Sequence, residues 1–132
     1  MVGARLIIHV RERAAGRCEY CRLPQHATDI PFEIDHIVSR KHQGRTVASN
    51  LAAACWYCNS FKGPDISGLD PLTRKLTRLF NPRRHKWSHH VRYEGAILIG
   101  RTAIGRTTIR VLQINCDEAV TLRQSVIAEG RF

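Results

Sequence analysis

The chain reads as a small α+β protein, and three observations carry that reading. The segment "ARLIIHVRERAAGRCEYC" sets Leu6, Ile7, Val10 and Ala14 at helical spacing among charged residues, the pattern of a helix with one apolar face. "PFEID" alternates Phe32 and Ile34 with Glu33 and Asp35, as a half-buried strand does. Two Cys-x-x-Cys pairs, Cys18 with Cys21 and Cys55 with Cys58, flank that strand, and a chain that loops back would bring the four thiols together.

The remaining elements follow in chain order. Gly16 is placed to end the first helix, and Pro24 and Pro31 break regular structure ahead of the strand. Residues 38–50, "VSRKHQGRTVASN", form a polar, basic loop with Gly44 as its flexible point. "LAAAC" is ambiguous, because alanine favours helix but so short a run sets no period. "NSFKGP" reads as a helical turn stopped by Gly63 and Pro64. From Asp65 onward, Gly68, Pro71, Pro82 and Gly95 punctuate short apolar runs. "HHVRYEGAILIG" suggests a hairpin, and two helical patterns follow, one over residues 102–115 and one from Asp117, which is placed as an N-cap. Cys116, among apolar neighbours, reads as a small buried thiol. A single domain spanning residues 1–132 is expected, with 1–64 as the core and 65–132 as a C-terminal extension packed on it.

Composition narrows the function. Lys and Arg number 21 against 11 Asp and Glu, a formal net charge of +10, and such a surplus on a small protein attracts polyanions, nucleic acid first. Five cysteines are an odd count, which excludes a fully paired disulfide framework in a monomer, and the two pairs match a four-thiolate zinc site. No apolar run approaches the roughly 20 residues of a membrane span, and "MVGARLIIHV" lacks a signal peptide's apolar region. The chain is therefore expected to be soluble and cytoplasmic, with no membrane partner. Nothing in the sequence indicates a protein partner or a homodimer.

"IDHI", then "NL", then "CWYCNSFKG", with "CEYC" upstream, together resemble the HNH endonucleases over residues 18–63. The resemblance implies a ββα-metal core: "FEIDHI" as the first strand, "NLAAAC" as the second and antiparallel to it, and a metal-facing helix opening at Asn59. Cys55 and Cys58 would form a zinc knuckle facing Cys18 and Cys21. That Zn2+ is structural, since four thiolates fill its tetrahedral shell. The activity implied is metal-dependent nicking of double-stranded DNA, leaving 5′-phosphate and 3′-hydroxyl ends.

Phosphodiester cleavage requires a base for water and a cation for the developing charge. His36 is the candidate base. Asp35 is the carboxylate for a catalytic Mg2+, or Mn2+, and Asn59 stands where the family often places a histidine, offering a second oxygen ligand. Asn50 is expected to brace the loop and orient His36. Lys62 is expected to contact a backbone phosphate, and Arg40, Lys41, Arg45, Arg83 and Arg84 to track the duplex. "RRHKWSHH" reads as a basic surface with Trp87 partly buried. Adjacent strand residues point to opposite faces, so the strand must end or twist where Asp35 and His36 reach one phosphate. The alternative is a noncatalytic, zinc-stabilised nucleic-acid binding protein; a thiol redox protein is a third reading, distinguished by lacking firmly held zinc.

Overall fold

The computed structural model describes residues 2–132. Helix α1 (Ala4–Arg13) turns Val10, with Leu6 and the adjoining Ala14, onto Leu51 and Ala53. It stops where Ala15 and Gly16 take positive φ of 54° and 72°, a helix ending that glycine favours. The chain then folds tightly over residues 18–23: the Cys18 N–H donates to the Leu23 carbonyl at 2.9 Å and the Arg22 N–H to the Cys18 carbonyl at 2.8 Å.

Strands β1 (Glu33–His36) and β2 (Leu51–Ala54) pair antiparallel, Glu33 opposite Ala54 and His36 opposite Leu51. All four β2 residues are buried. Alternation sends Leu51 and Ala53 toward α1, and Ala52 and Ala54 into the cluster that holds the cysteines. A strand covered closely on both faces has room only for small side chains, and this packing overrides alanine's helical preference. Helix α2 (Trp56–Lys62) begins three residues before the expected opening at Asn59. Cys55 caps it, its Sγ accepting the Cys58 N–H at 3.5 Å, so Cys58 lies inside the helix.

The extension begins with a short hairpin that the sequence pattern did not announce, β3 (Ser67–Leu69) and β4 (Leu76–Arg78). Buried Asp70 organises its turn, accepting from the Leu72 N–H, from the Thr73 N–H and hydroxyl, and from Arg106 through two bonds of 3.0 and 2.9 Å. After the single turn α3 (Trp87–His90), strands β5 (Val91–Glu94) and β6 (Ile97–Gly100) form the expected hairpin. Helix α4 (Ala103–Val111) is shorter than the pattern over 102–115: Thr102 caps it by accepting the Gly105 N–H at 3.1 Å, and Gln113 breaks it with a φ of 46°. Gly105 passes so close to the His90 carbonyl that no Cβ fits.

Cys116, not Asp117, stands at the N-cap position of helix α5 (Asp117–Ala128), without a side-chain capping bond; Asp117 sits in the first turn, where a carboxylate favours the helix dipole. Cys116 is half-buried, not buried as expected. Arg123 anchors α5, its buried guanidinium donating to the Ala96 and Ile114 carbonyls and to Asn115 Oδ1. One cluster of buried side chains runs from Cys18 to Ile114 and draws on both halves of the chain. Among the described residues, no helix is long and apolar enough to cross a membrane.

His85 supplies a test of the extension's packing. Its ring lies 5.9 Å from Phe80 and 5.2 Å from His90, centroid to centroid, and its Nδ1 accepts the Asn81 N–H at 2.9 Å. Burial first, then the positive charge His90 can carry, holds its imidazole below the ordinary 6.5. The folded chain therefore binds fewer protons than the unfolded chain just below that pH, and stability falls as pH drops through it. His85→Asn keeps an acceptor in place of Nδ1 without the titration. Its urea midpoint is expected to fall less than the wild type's between about pH 7.5 and 5.5; an equal fall would contradict this.

Candidate functional site

Two different sets of side chains converge at the β1–β2 pair. The first is the four cysteines. Cys18 and Cys21 come from the tight turn after α1, Cys55 and Cys58 from the start of α2, and all are buried. Their four Sγ atoms lie within 4.8 Å of one another, with Cys21 and Cys55 3.7 Å apart. A tetrahedral zinc ion with Zn–S bonds of about 2.3 Å separates its sulfurs by about 3.8 Å, so the set fits a structural metal such as zinc. Backbone N–H groups already point at the sulfurs: Cys21 to Cys18 at 3.5 Å, Leu23 to Cys21 at 3.4 Å and Cys58 to Cys55 at 3.5 Å. Such donors favour thiolates. The Cys21 and Cys58 thiols are pushed up, first by hydrogen bonding to Cys18 and then by Cys55 and burial among other contacts; a bound cation would relieve that conflict.

The second set surrounds a cleft of about 290 Å³ lined by Ile34, Asp35, His36, Ser39, Arg40, Lys41, Asn59, Gly63 and Pro64. Strand β1 ends at His36, and at that end two residues of opposite facing both border the cleft. Asp35 is buried; the Tyr20 hydroxyl donates to its Oδ2 at 2.7 Å and the Lys62 ammonium to its Oδ1 at 3.2 Å. Burial raises its carboxyl above the ordinary range, against the opposing pull of Lys62 and Tyr20. The His36 Nε2 lies 2.9 Å from the Thr46 hydroxyl. Burial also holds its imidazole below 6.5, though Asp35 draws it upward, so at neutral pH the ring is uncharged and can accept a proton.

Asn50 ties the basic loop together. Its Oδ1 accepts the Val38 N–H at 2.9 Å, its Nδ2 donates to the Val38 and Arg45 carbonyls at 2.9 Å each, and its own carbonyl accepts the Ile37 N–H. Gly44, read as the loop's flexible point, is instead where the backbone passes against the Val38 carbonyl. Arg40, Lys41 and Arg45 are exposed on this loop, as is Arg84 farther along the chain.

Two expected phosphate contacts are spent inside the protein. Lys62 is 1% exposed and donates to Asp35 and to the His36 carbonyl, since α2 lies over the strand face that carries Asp35. Arg83 turns inward to an ion pair with buried Glu19. Glu19 in turn bonds β2, its N–H donating to the Ala53 carbonyl and its Oε2 accepting the Ala53 N–H, each at 2.8 Å. The residues missed from sequence are Tyr20, Thr46 and Glu19, none of which stands at a spacing that marks a site; the one hint was that Glu19 and Tyr20 lie between two metal-ligand cysteines.

Residues 18–65 match the HNH endonuclease family model. The chain is 26% identical over 106 residues to the Septu protein PtuB of Bacillus thuringiensis, an alignment covering 79% of this chain and 38% of that protein. The chain thus spans well under half of that relative's length. No solved structure matches it.

The metal centre has a direct test. Structural zinc in small domains contributes about 10–16 kcal/mol of apparent binding energy, comparable to the about 5–15 kcal/mol that holds a whole domain folded. One zinc per chain is expected by elemental analysis, and stripping it with a strong chelator is expected to abolish cooperative thermal unfolding. A stripped protein that melts at the untreated temperature would exclude a structural role.

Proposed function

We propose, from the HNH endonuclease-type core at residues 18–65, that the chain is a metal-dependent endonuclease that hydrolyses phosphodiester bonds of double-stranded DNA. The observation that carries this reading is the cleft itself, where Asp35, His36 and Asn59 border one space rimmed by Arg40 and Lys41. His36 is the general base. With its Nε2–H donating to Thr46, the lone pair is left on Nδ1, where it takes a proton from the attacking water. Asn50 holds the loop that carries Thr46 against the end of β1 and so sets the ring's orientation.

Asp35 and Asn59 would hold a divalent ion. A single carboxylate and an amide oxygen beside open cleft suit Mg2+, which keeps several of its waters, with Mn2+ as a substitute. When bound, that ion supplies charge stabilisation on the scissile phosphate and the leaving 3′ oxygen. The products are then a 5′-phosphate and a 3′-hydroxyl, from one nick per active site. Arg40, Lys41 and Arg45 track phosphates beside the cut, with Arg84 a more distant contact. Lys62 is withdrawn from that role by its burial and Arg83 by its ion pair with Glu19.

One observation favours the alternative of a noncatalytic zinc-stabilised nucleic-acid binding protein: Lys62 already neutralises the Asp35 carboxylate. Plasmid nicking in Mg2+ separates the two. His36→Ala, with its zinc retained, is expected to lower kcat by about 10²–10⁴-fold. A wild type that binds duplex without cutting it would establish the binding-only reading, and a variant as active as the wild type would remove His36 from the chemistry. DNA affinity should also track salt: Arg40→Ala with Lys41→Ala is expected to reduce the log–log salt slope by about 1.8, or about 0.9 per phosphate contact. An unchanged slope would place the duplex elsewhere.

A further inference from the structure

Tyr20 has no part in the chemistry described above, yet its hydroxyl makes the shortest contact to the Asp35 carboxylate, 2.7 Å, from a ring that is 2% exposed. It lies between two cysteines of the metal cluster, so its backbone is fixed from within by the Cys18 and Cys21 sulfurs. The C-terminal half grips Glu19, Tyr20 and Cys21 from outside. Arg83 pairs with Glu19, the Trp87 Nε1–H donates to the Tyr20 carbonyl at 2.9 Å, and the Tyr93 hydroxyl donates to the Cys21 carbonyl. The Phe80 ring stands edge-on to Tyr20, 6.4 Å between centroids. A phenol needing only to fill space would not require its backbone held on both sides.

We infer that Tyr20 is a positioning residue for Asp35: the cysteine cluster and the C-terminal half together aim its hydroxyl, and the hydroxyl fixes the plane in which Asp35 presents its free lone pairs to the cleft. The Lys62 ammonium, 3.2 Å from each carboxylate oxygen, is the second point of that clamp. The cysteine cluster is thereby linked to the cleft through Tyr20 as well as through α2 and Lys62, and residues 65–132 serve the site without entering it. This rests on the nuclease reading for its kinetic consequence, but not for its consequence on metal binding. Hydrogen-bond partners of metal ligands of this kind typically change metal affinity or activity by about 10–100-fold when removed.

Tyr20→Phe deletes the hydroxyl and keeps the ring. It is expected to retain one zinc per chain and the wild-type circular dichroism, to bind Mn2+ about 10–100-fold more weakly by electron paramagnetic resonance, and to lose kcat by a similar factor with KM for duplex DNA unchanged. Trp87→Phe, which frees the Tyr20 carbonyl, is expected to move both readouts in the same direction by less. The Mn2+ titration is repeated in the His36→Ala background, where no turnover is needed, so it tests Tyr20 even if the nuclease reading fails. Wild-type Mn2+ affinity in Tyr20→Phe would overturn the inference, as would loss of zinc from that variant, which would make Tyr20 a folding residue.

Discussion

Four buried sulfurs hold together two pieces of chain that are 34 residues apart at their nearest members, Cys21 and Cys55. That single closure sets the rest of the core. β1 and β2 have four residues each, and an isolated hairpin of that size is marginal in water. Crosslinking the turn before β1 to the helix after β2 clamps the pair at its open end, where Glu33 faces Ala54. It allows β2 to be built from alanine, because the strand needs to be thin more than it needs to be sticky. A metal held by these sulfurs would offset the cost of closing such a loop, as it does in small domains where apolar burial falls short.

From that closure the polar interior follows. α2, started by Cys55, carries Lys62 beneath β1, and the turn between Cys18 and Cys21 carries Tyr20 up to meet it. Asp35 is caught between the two. Removing one partner of a buried ion pair typically costs about 3–5 kcal/mol because the other charge is left buried and unpaired, so Asp35 and Lys62 depend on each other as well as shaping the cleft. The same logic explains the C-terminal half, whose buried polar groups are satisfied chiefly where they touch the first half or one another: Arg123 by three carbonyl oxygens, Asp70 by Arg106 and its own turn. The exception among the described residues is Thr107, whose buried hydroxyl has no partner, along with one Arg83 nitrogen.

Much of this was legible in the sequence because it is local or numerical. Cysteine spacing marks a metal cluster, the alternation in "PFEID" marks a strand, and "HHVRYEGAILIG" marks a hairpin. The alanine strand was legible only through family resemblance, since nothing in "LAAAC" says that it will be covered on both faces. What stayed hidden was long-range. "RRHKW" looks like basic surface because its partners, Glu19 and the Tyr20 carbonyl, stand 64 and 67 residues away. Lys62 looked like a phosphate contact because a lone lysine at a helix end gives no sign of the carboxylate beneath it. Helix starts shifted where an unexpected residue took the N-cap position, Cys55 for α2, where its sulfur caps the helix, and Cys116 for α5.

The central claim is that two unlike cation sites adjoin one short strand pair, one closed by sulfur and one open to oxygen. Anomalous diffraction from crystals soaked in Mn2+, recorded at the zinc and manganese absorption edges, tests it most directly. The expected result is a zinc peak among the Sγ atoms of Cys18, Cys21, Cys55 and Cys58, and a manganese peak in the cleft within bonding distance of Asp35 and Asn59 oxygens. Manganese found only away from the cleft, or zinc absent from the sulfurs, would contradict it.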